Sequence, residues 1–256
     1  MKKIKIISLS QAKAKGKYEV VTSSETYKWH EDTIIKFLVL KDKLFTTNEI
    51  ELIVNYDYEV DAFSKALKYI SFQQRSTNEV IENLKKSNYN QAIITRTIEK
   101  LTELKFLDDE RFAENTLNYC INTKKGPFVL ERKLKEKKVN EQIIKTVLQE
   151  YTYDIQKDVI AEIVRKQSSN AKLPIKKQQA NLYSKIIRDG FNQELATYAI
   201  GQVKFVDESD DALIEQILKL KRKYNELDKK TQKNKILSSL MQKGFEYSKI
   251  IKNLDE

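Results

Sequence analysis

The sequence predicts an all-α protein: four tandem three-helix repeats in an elongated, curved array, preceded by a small N-terminal extension that contains β-structure. Three observations predict it. With 5 Gly and 2 Pro in 256 residues, the chain lacks the turn residues that a β-rich fold needs; 13 Tyr, 10 Phe and regular Ile and Leu exclude a disordered chain. Beyond the first sixty residues, apolar side chains recur at helical spacings of three and four. A short motif also returns about every fifty residues, the signature of a repeat architecture.

Residues 1–60 stand outside the repeat. Ile4, Ile6, Tyr18, Val20, Tyr27 and Trp29 alternate with polar neighbours, and Ser23-Ser24-Glu25 supplies a turn, so the pattern predicts a small antiparallel sheet. Two short helices follow, one from Glu31 to Leu40 and one from Thr46, where Thr-x-x-Glu49 forms a capping box. Trp29 and His30 on a strand are expected to be packing and edge residues.

The repeats occupy 61–107, 108–153, 154–206 and 207–256. In the first, Phe63, Ala66, Leu67 and Ile70 line one helix, Val80, Ile81 and Leu84 a second, and Ile93, Ile94, Ile98 and Leu101 a third. Ser76 with Glu79 caps the second helix, and Pro127 and Pro174 stand near the starts of the second helices in the next two units, where a missing N–H costs nothing. The motif is anchored by Leu84, Leu134, Ile186 and Leu240, at spacings of 50, 52 and 54 residues.

Each motif position has a physical role. The aliphatic anchor belongs to the last turns of the second helix. Four residues on, Asn88, Gly190 and Gly244 suit a left-handed turn. Next, Tyr89, Val139, Phe191 or Phe245 folds back onto the finished helix, and Asn90, Asn140 and Asn192 cap the third. Two positions depart from this: Lys138 takes the turn position, and Glu246 replaces the capping Asn.

The same inventory excludes most catalysis. One His (His30) and one Cys (Cys120) build no zinc site of ordinary ligands, and no two glycines lie close enough to cradle a phosphate. Asp108-Asp109 and Asp210-Asp211 are better read as helix N-terminal residues than as paired catalytic carboxylates. No cofactor is implied. The opening decapeptide is broken by Lys5 and Ser8 and does not read as a signal peptide. The longest strictly apolar run, Phe37 to Leu40, is far below the ~20 residues of a membrane span. A lone thiol suits a reducing compartment, so the cytoplasm is expected.

A net charge of +10 favours a polyanionic partner or an acidic protein surface. Basic residues concentrate around the second helices, at 124–138, 166–188 and 219–235. The candidate contact residues are Arg75, Lys85, Lys86, Lys125, Arg132, Lys133, Lys137, Lys176, Lys177, Lys185, Lys230 and Lys233. Stacked repeats turn an in-phase excess into one basic stripe; the competing reading is a solvated face that keeps the protein soluble.

Gln74-Arg75-Ser76-Thr77-Asn78-Glu79-Val80, then Leu104-Lys105-Phe106-Leu107-Asp108-Asp109-Glu110-Arg111-Phe112-Ala113, then Lys125-Gly126-Pro127 leading to Leu134 and Lys137, resemble the RecX family of bacterial regulators of the RecA recombinase. Lys105 and Lys138 depart from the family by standing where it usually has Gly. The resemblance implies a non-enzymatic modulator, usually an inhibitor, acting in homologous recombination, DNA repair and the SOS response. Such a protein binds the RecA filament on single-stranded DNA and impedes ATP hydrolysis, strand exchange and co-protease function. The lysine stripe itself predicts sequence-independent contact with single-stranded, and also double-stranded, DNA, and a monomer is expected. Two other classes compete: a sequence-specific DNA-binding protein, disfavoured because the second helices carry Lys and not base-reading residues, and a helical scaffold or non-specific DNA binder acting without RecA.

Overall fold

A computed structural model describes residues 3–14, 16–167, 172–206 and 208–255. The extension forms a four-stranded antiparallel sheet of β1 (Lys3–Gln11), β2 (Lys17–Thr22), β3 (Thr26–His30) and β4 (Leu44–Thr46), in the order β3-β2-β1-β4. The alternation works as expected: Ile4, Ile6, Val20 and Trp29 point inward and pack with Val39, Phe45, Ile50 and Ile53. At the predicted β2–β3 turn, Thr22 Oγ1 accepts from the N–H groups of Ser24 (3.2 Å) and Glu25 (3.0 Å). Trp29 is a packing residue, stacked on Tyr27 at 4.7 Å between centroids.

The helices after the sheet correct the sequence reading. The first, α1 (Glu31–Phe37), is short, but the second, α2 (Thr47–Phe72), runs 26 residues. The expected short helix and the first helix of the first repeat are therefore one element, and position 60 lies in its interior. The reason is local: no Gly, Pro or capping pattern interrupts 47–72, so nothing stops the helix once the Thr46/Glu49 capping box has started it.

The helices then follow in threes. With α2 stand α3 (Thr77–Lys86) and α4 (Gln91–Glu103); then come α5 (Asp109–Asn122), α6 (Pro127–Glu136) and α7 (Glu141–Glu150); α8 (Tyr153–Gln167), α9 (Ile175–Arg188) and α10 (Gln193–Gly201); and α11 (Ser209–Lys223), α12 (Lys229–Gln242) and α13 (Tyr247–Asp255). Position 207, the expected start of the last repeat, lies outside the described residues. Leu84, Leu134, Ile186 and Leu240 are fully buried. Three turns close with paired Schellman bonds: Tyr89 N–H to Leu84 O (3.4 Å), Phe191 N–H to Ile186 O (3.2 Å) and Phe245 N–H to Leu240 O (3.2 Å). The left-handed residues are Asn88 (φ 62), Lys138 (φ 51), Gly190 (φ 94) and Gly244 (φ 89). Lysine thus takes the turn conformation at 138 against the Cβ penalty.

The capping asparagines also act as expected, with Asn90, Asn140 and Asn192 accepting from Ile93 (2.9 Å), Gln142 (2.8 Å) and Leu195 (2.8 Å). Asp108 accepts from Arg111 N–H at 2.9 Å. Asp210 and Asp211 differ, sitting inside the first turn of α11 with no capping bond; they act there through the helix dipole.

Two compact units divide the chain: Met1–Ala113 with Lys135–Ile143, and Glu114–Leu134 with Ile144–Glu256. The same interlock recurs inside each. The start of a second helix lodges against the turn of the following repeat. In the first unit, Ser76 Oγ donates to Lys137 O at 2.9 Å. In the second, Gly126 N–H donates to Asp189 O (2.7 Å) and Phe128 N–H to Gly190 O (3.1 Å), which caps α6 from outside its own repeat. The last second helix, α12, is capped by its own Asp228, which accepts from Lys230 (3.1 Å) and Thr231 (3.0 Å).

Phe191 and Phe245 are 1% and 5% exposed, as the motif alignment requires. Phe191→Ala is expected to cost about 3 to 5 kcal/mol, measured as the loss in unfolding free energy by denaturant titration.

Candidate nucleic-acid interface

The structure separates the candidate basic residues into two groups. Arg75, Lys125 and Lys177 occupy the same repeat position, at the start of their second helices, and all three are engaged. The Arg75 guanidinium lies over the Tyr69 ring at 4.2 Å and 3.4 Å from Glu79. Lys125 donates to Asp189 at 2.7 Å, and the Asp189 side chain is only 11% exposed. The Lys177 stem packs on Gly244, so close that a Cβ there would stand 2.8 Å from the Lys177 Cβ. Two of these positions have a structural use between repeats: Lys125 and Lys177 tie the start of a second helix to the following turn, at Asp189 and Gly244.

Lys137 belongs with this group. Its ammonium donates to Glu79 at 2.6 Å, while the other Glu79 oxygen closes the capping box on Ser76. Burial alone would raise the Glu79 pKa. The hydrogen bonds from Lys137 and the Ser76 N–H, with the charges of Lys137 and Arg75, outweigh it and hold the carboxyl below its ordinary 4.5. Since the folded pKa is depressed, this contribution to stability is complete above the ordinary glutamate range and is lost as pH falls through the folded value. Lys137→Glu brings a like charge to a carboxylate that is 15% exposed. Discounted for the solvent exposure of the lysine, the expected cost is about 1 to 2 kcal/mol, read as a lowered denaturation midpoint at pH 7 that converges on the wild-type value in acid.

The remaining candidates range from exposed to half-buried. Lys86 and Lys230 are exposed. The Lys176 side chain is 90% exposed, 3.8 Å from Glu246. Lys85 lies 3.2 Å from Glu82, both well solvated. Arg132 is exposed on α6 and Lys233 is half-buried on α12. Lys133 reaches over the Tyr119 ring at 5.0 Å, and Lys185 sits 3.8 Å from Asp189.

The sequence reading missed a polar network in the extension. His30, 8% exposed, places Nδ1 3.1 Å from Asp57 and Nε2 3.3 Å from Asp61. Asp57 also accepts from the His30 N–H and from Thr33 Oγ1, both at 2.7 Å. Asp61 accepts from Lys17 at 2.7 Å and from the Tyr89 hydroxyl. Burial raises the Tyr89 pKa, and the bond to Asp61 raises it further. Every polar partner is satisfied, and the network fastens β2 and β3 to α2 and to the first repeat turn. Among the described residues no group of three or more His, Cys, Asp or Glu is placed to hold a metal. Cys120 is buried, and desolvation pushes its thiol pKa up, the opposite of what a reactive cysteine needs. No described helix is long and apolar enough to cross a membrane.

Family comparison finds three matching domains in order: the first three-helix domain of RecX at 62–101, the second at 108–148 and the third at 207–252. The regulatory protein RecX of Listeria monocytogenes serotype 4a is 31% identical over 261 residues, covering 99% of this chain and 97% of its own. That of Staphylococcus aureus strain JH9 is 29% identical over 232 residues, covering 88% and 85%. A crystal structure of regulatory protein RecX shares the fold at a TM-score of 0.62 with 22% identity, over 78% of this chain and 100% of the other. RecX from Lactobacillus salivarius does so at 0.54 with 24% identity, over 58% and 97%.

Proposed function

The chain belongs to the RecX family of regulatory proteins, and from that premise we propose that it restrains the RecA recombinase by binding the RecA filament on single-stranded DNA. The observation that carries this reading is the near full-length similarity to a regulatory protein RecX, 99% of this chain against 97% of the relative. Bound in this way, the protein impedes ATP hydrolysis, strand exchange and co-protease function without chemistry of its own. Tandem repeats suit the task. Several modest contacts on one chain raise the effective concentration of each and sum to tight binding.

The net charge of +10 and the solvated lysines on the second helices support contact with phosphate or with an acidic protein surface. Such contact is sequence-independent, because lysine reaching a phosphate carries no base information. Addition of the folded protein to RecA on single-stranded DNA is expected to lower the steady-state rate of ATP hydrolysis. Unchanged hydrolysis and unchanged strand exchange at saturating protein would remove RecA from the reading and leave a helical scaffold.

A further inference from the structure

The extension carries two surfaces that the repeats do not use. The first is a rigid apolar loop. Ile35, Leu38, Leu40 and Leu44 are 63%, 64%, 63% and 51% exposed, although Val39 between them and Phe45 just after them are buried. Leu38 holds φ 49 at the end of α1, a left-handed conformation that favours glycine. Elsewhere among the described residues such positions carry Gly, Asn, Asp or Lys; here a leucine is held in that conformation and turned to solvent.

The loop is well fastened. Asp42 N–H donates to Ile6 O and Ile6 N–H to Lys43 O, both at 2.9 Å. The Lys43 ammonium donates to the carbonyls of Phe37 (2.9 Å) and Leu38 (3.0 Å), closing the end of α1. The flanking charges are Lys36, Lys41 and Lys43, and the one carboxylate between them, Asp42, is paired with Lys5 at 2.8 Å. Fixed leucines bordered by lysines make a projection that is both apolar and basic.

The second surface has the opposite shape and charge. A cleft of about 690 Å³ opens between the sheet and α2, with Ile4, Tyr27, Ile50 and Val54 as its apolar floor and Glu25 and Glu51 as its charged lining. No lysine or arginine lines it among the described residues. Its volume falls in the range of pockets that accept inserted groups.

We propose that the chain self-associates through this extension: the Leu38–Leu40 loop of one copy enters the cleft of a second copy and sets Lys41 against Glu25 and Glu51. A second copy is the occupant because the apolar, basic projection and the apolar, acidic cleft are complementary in charge and every copy carries both. The contact is heterologous, so it closes as a reciprocal pair or continues into a longer series. It replaces the monomer expected from the sequence and is independent of whether RecA is the target.

Sedimentation velocity on the full chain across the micromolar range tests it. The sedimentation coefficient of the wild type is expected to rise with concentration. Leu38→Asp with Leu40→Asp, which disables the loop, and Glu51→Lys, which disables the cleft, each give a monomer with unchanged far-ultraviolet dichroism. Mixing these two variants restores a 1:1 dimer, because one supplies the cleft and the other the loop. Should the leucine variant fail to fold, Lys41→Glu takes its place, and combining Lys41→Glu with Glu51→Lys in one chain restores association. The proposal is overturned by a wild type that stays monomeric throughout, by a loop variant that assembles like wild type, or by a mixture that stays monomeric. It also falls if the monomeric wild type instead binds vesicles of phosphatidylglycerol through Leu38 and Leu40, which would assign the loop to a lipid surface.

Discussion

Gly190→Ala is expected to destabilise the unit formed by Glu114–Leu134 and Ile144–Glu256 by roughly 2 to 5 kcal/mol. Two costs add. Gly190 holds φ +94, a backbone conformation that penalises any Cβ by about 1 to 2 kcal/mol. That Cβ would also stand 2.7 Å from Val129 Cγ2 and 2.8 Å from the Val129 backbone nitrogen. The α6 backbone cannot withdraw, because Gly126 N–H and Phe128 N–H hold it to the carbonyls of Asp189 and Gly190. The opposing glycine is equally confined, since a Cβ on Gly126 would lie 2.3 Å from Gly190 O. Calorimetry should show the transition of this unit lowered by roughly 10 °C. Gly201→Ala is the control: nothing lies within 4 Å of its Cβ position, so its transition should not fall.

This pair of glycines shows how much of the molecule was legible in the sequence. The turn at Gly190 was readable because a left-handed residue, an apolar residue and a capping Asn follow one another in chain order, and local backbone sterics decide all three. What the turn touches was not readable. Its partner, Gly126, lies in the preceding repeat, and nothing short-range marks it beyond its place before Pro127.

The same limit explains the basic stripe. Periodicity groups basic residues by their place in the repeat but carries no sign of their partners, because Lys137 meets Glu79 across 58 residues and Lys125 meets Asp189 across 64. A lysine run that reads as a free surface is thus partly consumed in holding repeats together. β4 escaped for another reason: at three residues it is too short to show alternation. The His30 network escaped because its bonded partners lie 24 to 44 positions apart, each an ordinary polar residue on a different element from its partner.

The division between engaged and solvated lysines determines where a loss of regulatory action should appear. Lys86, Lys176 and Lys230 are exposed, and the contact of Lys176 with Glu246 of the next repeat is long, at 3.8 Å, and open to solvent, so Lys86→Glu, Lys176→Glu and Lys230→Glu together should leave the unfolding transition within about 0.5 kcal/mol per site of wild type. If these side chains meet phosphate, each lost contact lowers the magnitude of the salt slope for single-stranded DNA by roughly 0.7, and the three together by about 2. Reversal adds repulsion to the loss. The concentration needed for half-maximal inhibition of RecA hydrolysis should then rise at least about ten-fold, equivalent to roughly 1.4 kcal/mol of binding. Lys125→Glu and Lys137→Glu serve as the contrast, because both face carboxylates that are mostly buried and should lose folding stability first. Equal inhibition by the triple variant and wild type, with both fully folded, would place the contact surface away from the second helices.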